Sequence, residues 1–257
     1  VAKRAKAEKW DIDAMLNNDI VGNTHGMETD LKDNRSVRVF SEGVPSIAAG
    51  NERMIAGLIS LGGENDSPSR ELARYIKETG ERYVDQLDVK LVYRRDRYLR
   101  GGDHVPFLQQ GFTAVRFTEM NEDFTRQHQN VRTENGIDYG DLPDFVDFNY
   151  VQKVTRMNLS VLANLALAPA EPQNVGIITS GLTNKTQLKW DAPKTGRKPA
   201  GYYVLMRETS GPVWEKKFYV TEPTATLAYS KDNYLFAVQS VDAEGHESLP
   251  VFPKPMR

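Results

Sequence analysis

The chain has 257 residues, 39% of them hydrophobic and 26% charged, enough for one large or two modest domains with buried cores. A formal net charge of -2 at pH 7, with acids and bases interspersed, excludes the strongly basic face of a nucleic-acid or anionic-membrane binder. Cysteine is absent, which excludes disulfides, thiolate metal ligands and a cysteine nucleophile while leaving the redox compartment open.

The first ten residues contain neither an initiator methionine nor a signal peptide. Their high helix propensity predicts the tail of a helix already under way, so the chain reads as a fragment of a longer protein. An apolar run over 12–21 predicts a buried strand, and 37–40 a second short one after a polar loop. Ser67-Pro68-Ser69-Arg70-Glu71 is a helix start, with Ser67 as cap, Pro68 at the first helical position and acid in the first turn. Leu72, Tyr75 and Ile76 carry the helical spacing on toward Gly80. Residues 87–93 alternate as a strand, 105–110 form a helical turn, and 113–118 form another strand. Strands alternating with helices predict an α/β layer architecture. Residues 144–167 read as one long amphipathic helix, with Phe148, Val151, Val154, Val161, Leu162 and Leu165 on its apolar face. The longest apolar run, 159–168, is broken by Ser160 and Asn164 and is too short to span a bilayer.

Pro169-Ala170-Glu171-Pro172 ends that helix and divides the chain into predicted domains 1–168 and 169–257. From Gln173 onward short β runs alternate with turns. Leu188-Lys189-Trp190, Gly201-Tyr202-Tyr203-Val204-Leu205 and Tyr234-Leu235-Phe236-Ala237-Val238 resemble a fibronectin type III sandwich. That resemblance implies Trp190 in the core from the second strand and Tyr234 at the tyrosine corner, with the sandwich held by Trp190, Tyr203 and Tyr234.

Three pieces of the first domain carry candidate chemistry. Leu16-Asn17-Asn18-Asp19-Ile20-Val21-Gly22-Asn23 ends an apolar run in an aspartate. A carboxylate there is costly to bury unless it is paired or binds metal, and its plainer reading is a solvated strand end or a cap. Arg100-Gly101-Gly102-Asp103-His104-Val105-Pro106-Phe107 is an acidic turn entering a short helix, which Asp103 could simply cap. His128 follows the 113–118 strand in a loop, where a lone histidine is usually a surface residue. This order places a carboxylate and an imidazole at one rim of a sheet.

In that order and at those separations the three pieces resemble the second half of the dinuclear zinc aminopeptidase family. That family includes bacterial leucyl aminopeptidase, glutamate carboxypeptidase and glutaminyl cyclase. Its N-[FML]-D-[IM]-[IVA]-G strand end, [S/G]-D-H-x-x-F turn and loop histidine correspond here to Asp19, to Asp103 with His104, and to His128. The resemblance implies a three-layer fold, a mixed sheet with helices on both faces, truncated in this chain. It implies two zinc ions, with Asp19 a ligand to one and His128 to the other, and Asp103 hydrogen-bonded within the site to orient groups near the metals. Arg100 and Tyr139 are the candidates for substrate contact. His104 reads as structural and His246 as a surface residue of a sandwich turn. Gln127 and Gln129 depart from the family's Tyr-His-Thr.

The family also uses a His-x-Asp pair, a bridging aspartate and a Glu-Glu dipeptide that supplies the general base. No histidine of this chain is followed two positions later by aspartate and the chain contains no Glu-Glu, so the resemblance places the missing residues upstream of Val1 and implies that the isolated chain is inactive. The implied activity is release of N-terminal residues from peptides by a zinc-activated water, in a secreted or periplasmic protein with peptide substrates as partners. Alternatives on the same fold are a carboxypeptidase, a one-zinc glutaminyl cyclase, or a non-catalytic binding protein of the transferrin-receptor type. An adhesion or carbohydrate-binding protein led by the sandwich would leave Asp19, Asp103 and His128 unexplained.

Overall fold

Strand β4 (Ala114–Glu119) is buried at all six positions, and the first part of the molecule is built around it. The computed structural model describes residues 1–44 and 52–257. These form two compact units, Val1–Val161 and Leu162–Arg257, which divide inside a long helix.

In the first unit β4 lies between β1 (Met15–Asn18) and β2 (Ser36–Ser41), with β3 (Asp88–Val92) beyond β2, in the order β1-β4-β2-β3. β1 runs parallel to β4, β2 antiparallel to β4, and β3 parallel to β2. Val37, Val39, Phe40, Val89, Val115 and Phe117 form the buried apolar part of this mixed sheet. The predicted strand at 12–21 is shorter than its apolar run. It stops at Asn18, because Ile20 takes a left-handed backbone (φ 69°) that cannot continue a strand.

Among the described residues five helices accompany the sheets: α1 (Ala2–Ala7), α2 (Glu52–Leu61), α3 (Pro68–Tyr83), α4 (His104–Gln109) and α5 (Phe148–Leu167). α3 starts as the sequence predicts. Ser67 Oγ accepts the Arg70 amide hydrogen at 3.1 Å, and Pro68 fills the position whose missing N–H is harmless. α3 packs on β2, β3 and β4, and α4 on β1 and β4. A side chain at Gly80 of α3 would come within 2.6 Å of Met157 of α5, so this mid-helix glycine permits the two helices to approach. α5 begins at Phe148, preceded by a 3-10 turn at Pro143–Phe145 rather than by an extra helical turn. Its Tyr150, Val154, Met157 and Val161 are buried, and Tyr150 Oη donates to the Ser36 carbonyl at 2.8 Å. A small hairpin, β5 (Arg132–Glu134) with β6 (Ile137–Tyr139), lies between β4 and α5 in the chain. Among the described residues no helix is long and apolar enough to cross a membrane.

The second unit is a sandwich of two sheets. β7 (Gln173–Ile178), β8 (Thr186–Asp191), β11 (Thr224–Leu227) and β13 (Lys254–Met256) form one, in the order β11-β8-β7-β13. β9 (Gly201–Glu208), β10 (Lys216–Val220) and β12 (Tyr234–Val241) form the other, in the order β10-β9-β12. Inward residues of both meet in one core: Val175, Leu188 and Trp190 against Tyr202, Val204, Met206, Phe236 and Val238. Trp190 packs edge-on against Tyr202 with ring centroids 5.3 Å apart. The tyrosine that holds the core with Trp190 is therefore Tyr202 and not the expected Tyr203. Strand alternation turns Tyr203 to the other face, where it meets Tyr219. Tyr234 is half-buried against the core.

Candidate metal centre

Parallel pairing of β1 with β4 brings Asn18 opposite Phe117, so the residues following β1 meet the C-terminal end of β4. The Asp19 amide donates to the Phe117 carbonyl at 3.1 Å. The Ile20 carbonyl then accepts from Glu119 N at 2.9 Å and from Thr118 Oγ1 at 3.1 Å. These bonds hold Ile20 in a conformation that a β-branched residue rarely adopts, and the turn leaves the Asp19 side chain about one-third exposed.

Beneath Asp19 lies Arg116 of β4, with no exposed surface. Its Nη2 is 3.0 Å from Asp19 Oδ2. Its Nη1 donates to Asp96 Oδ1 and Oδ2 at 3.0 and 2.9 Å and to the Gly101 carbonyl at 2.9 Å. Asp96 is itself buried and accepts from the Arg97 amide at 2.7 Å. Gly102 closes the other side. A side chain there would come within 2.9 to 3.1 Å of Asn17 Nδ2, Asp19 Oδ2 and His104 Nδ1, so only glycine fits without displacing them.

His104 is fully buried. Its Nε2 is 2.9 Å from the Arg95 carbonyl, which can only accept, so Nε2 carries the hydrogen. Nδ1 is then free to accept from Asn17 Nδ2 at 3.5 Å. Burial, opposed by the Arg95 carbonyl and Asp96, lowers the imidazole pKa and keeps the ring neutral. His104 is thus a structural strut, as the sequence indicated.

Asp19, Glu119, Asp123, Arg126, His128 and Asp141 are among the residues lining one cleft of about 420 Å³. Glu119 is 1% exposed. Its Oε2 accepts from the Gly22 and Asn23 amides at 3.0 and 2.7 Å, and its Oε1 has no partner among the described residues. Burial pushes its pKa up to about 7, only partly countered by the amides of Asn23 and Gly22. Nearby Glu122 shows the opposite balance. Burial raises it, but Arg97 and Arg38 more than offset that and leave it below the ordinary carboxylate range. His128 is exposed, with a left-handed backbone (φ 57°). Its loop is tethered by the Gly140 amide to the Thr125 carbonyl at 2.9 Å and by Arg126 lying over the Phe145 ring.

The structure therefore brings Asp19 and His128 to one cleft and places the other expected residues elsewhere. Asp103 is exposed at the start of α4 and makes no capping hydrogen bond. The buried aspartate that orients groups beneath Asp19 is Asp96, because Arg116 reaches it and not Asp103. Arg100 is exposed and lies over Phe124. Tyr139 is stacked by Arg132 on the small hairpin. Neither lines the cleft. Glu119, Arg116 and Asp96 were not singled out from the sequence. The available signal was charged residues inside apolar runs, Arg116 between Val115 and Phe117 being the plainest.

Carboxylate oxygen and imidazole nitrogen both suit zinc, which takes about three protein ligands in a catalytic site and four in a structural one. Asp19 and His128 fit zinc in kind but fall short in number. Among the described residues, the trio with ligand atoms all within 4.8 Å is Asp242, Glu244 and His246, in the turn after β12. Asp242 there accepts from the amides of Glu244 and His246 and pairs with His246 Nδ1 at 2.7 Å, which accounts for the cluster as a hydrogen-bonded turn. His246 is accordingly half-buried.

No family model matches the chain. Curated relatives match nearly all of it. It is 43% identical over 256 residues to a probable zinc metalloprotease of Leptosphaeria maculans, covering 99% of this chain and 58% of that one. A probable zinc metalloprotease of Pyrenophora tritici-repentis is 41% identical, with coverage of 99% and 53%. One of Pyricularia oryzae is 44% identical, with coverage of 95% and 49%. The chain thus spans about half the length of these relatives. Solved structures similar to part of it include an Fn3-like protein from Clostridium thermocellum, with TM-score 0.27 and 21% identity over 35% of this chain and 96% of that one. The fn3 domain of human collagen alpha-1(XX) chain gives TM-score 0.28 and 21% identity over 35% and 89%.

Proposed function

We propose that this chain contributes part of the catalytic centre of a zinc-dependent aminopeptidase that releases N-terminal residues from peptides. Two zinc ions would bind in the centre, one held by Asp19 and the other by His128. The observation carrying this reading is that a strand-end aspartate and a loop histidine, far apart in sequence, line the same cleft. Relatives named as zinc metalloproteases support it.

Bound zinc would polarise a scissile carbonyl and lower the pKa of a bound water. The residues of this chain do the rest of what can be assigned. Arg116 and the bonds to Ile20 hold Asp19 at the rim. Glu119 ties the following turn to β4 through two amides. The general base, a glutamate in the resembled family, belongs to a part of the protein outside this chain.

The test is hydrolysis of aminoacyl chromogenic substrates by the full-length gene product. Turnover should be lost on chelation, be restored by zinc, and be abolished in Asp19→Ala and His128→Ala with the circular dichroism unchanged. Activity that survives complete metal removal ends the proposal.

A further inference from the structure

A guanidinium with no exposed surface, on a strand it shares with the buried Ala114, Val115 and Phe117, is a costly thing to fold. Burying such a charge is tolerated only with opposite charge and near-complete hydrogen bonding. Arg116 meets that condition at its two terminal nitrogens, while its Nε has no partner among the described residues. Nη1 is committed to both oxygens of Asp96 and to the Gly101 carbonyl. Nη2 is left for Asp19, reaching Oδ2 at 3.0 Å and the main-chain carbonyl at 3.5 Å. Asp96 is fixed in turn by the Arg97 amide. The buried pair is thus a rigid base on which the partly exposed Asp19 carboxylate rests by one oxygen.

We propose that Arg116, anchored by Asp96, is the positioning residue of the metal centre, holding Oδ2 of Asp19 so that Oδ1 remains the oxygen available to a cation in the cleft. This rests on the reading of Asp19 as a zinc ligand. The clamp does two things. It fixes the carboxylate rotamer before a metal arrives, so ordering the ligand costs little on binding. It also limits the carboxylate to one donor oxygen, because Gly102 and Arg116 enclose the other. Partners of this kind, which touch a ligand and not the metal, typically change metal affinity by about 10–100-fold when altered. Lysine cannot replace the arrangement, since an ammonium lacks the planar fork that spans two carboxylates.

The experiment is a double-mutant cycle on the full-length gene product, using Zn2+ itself in competition with a chromogenic chelator and Co2+ as a spectroscopic stand-in. Arg116→Lys is expected to weaken Zn2+ binding about 10-fold and to shift the Co2+ absorption bands. In the Asp19→Ala background, already weakened, Arg116→Lys should change neither. Equal losses in both backgrounds would make Arg116 a support of the fold alone and overturn the proposal. So would an unaltered affinity and Co2+ spectrum in Arg116→Lys while Asp19→Ala weakens binding. If Arg116→Lys does not fold, Asp96→Asn, which keeps the guanidinium but loosens its anchor, must weaken Zn2+ binding for the proposal to stand. An unchanged affinity in Asp19→Ala would instead remove the ligand reading itself, and this inference with it.

Discussion

Glu119 shows how a single buried carboxyl sets a pH dependence. Its folded-state pKa of about 7 stands above the ordinary 4.5, chiefly through burial. Between those values the unfolded chain has lost the proton while the folded chain keeps it. Stability therefore falls as pH rises through that window, and above pH 7 the protein carries the full cost of an ionised buried group. Glu119→Gln keeps an oxygen for the Gly22 and Asn23 amides and removes the charge. In the presence of chelator it should be more stable than the unaltered protein at pH 8, by up to about 3 kcal/mol. The gain should shrink as pH falls and vanish near pH 4.5, the ordinary value. Melting temperatures of both proteins from pH 4 to 8 measure it, and a gain independent of pH would contradict the assignment of charge to Glu119. Asp19 could be singled out in the sequence because a carboxylate ending an apolar run is rare enough to notice. Arg116 and Asp96 could not be paired that way, since nothing local says which of many arginines meets which aspartate inside the fold. Asp103 was the nearer carboxylate to His104 in sequence, but Asp96 is the nearer one to Arg116 in space.

At the scale of elements, what was legible is what is encoded locally. The start of α3 is an example, because a serine cap and a proline at the first position act within one turn. Ser67→Ala should lower stability by about 1 kcal/mol, read as a lower urea midpoint with an unchanged slope. No change in midpoint would mean that the cap and the Ser67 hydroxyl's bond to the Glu42 carbonyl do not contribute. β4 was legible as a strand, but its burial at every position follows from the elements around it, α3 and α4 packed on it as well as β1 and β2 paired with it. The β5–β6 hairpin went unread although Asn135-Gly136 is a strong hairpin signal, with φ of 51° and 77° suited to a two-residue turn. Its strands are exposed and lack the apolar alternation that marks a strand. The Tyr202–Tyr203 pair shows a different limit. Either tyrosine could face the core until the register with β10 and β12 fixed the strand's faces.

At the scale of the whole chain, the two units have separate cores and so should have separate stabilities. The sandwich is closed by residues of its own strands, Trp190 and Tyr202 among them. The candidate metal ligands Asp19 and His128 both lie in the first unit. Zinc, if it binds there, stabilises only the state that contains the folded site. Calorimetry of the full-length gene product should therefore resolve a transition for the sandwich that zinc leaves in place and another that zinc raises. Trp190→Ala should do the reverse. Removing a buried tryptophan costs about 3–5 kcal/mol, a large fraction of the stability of so small a unit, so the sandwich transition should fall by many degrees or disappear. The zinc-sensitive transition should hold its temperature. Residues 170–257 alone should fold and give the same tryptophan-dependent melt. If zinc and Trp190→Ala move a single shared transition, the two cores are not independent, and the sandwich carries part of the stability of the unit that holds the candidate ligands Asp19 and His128.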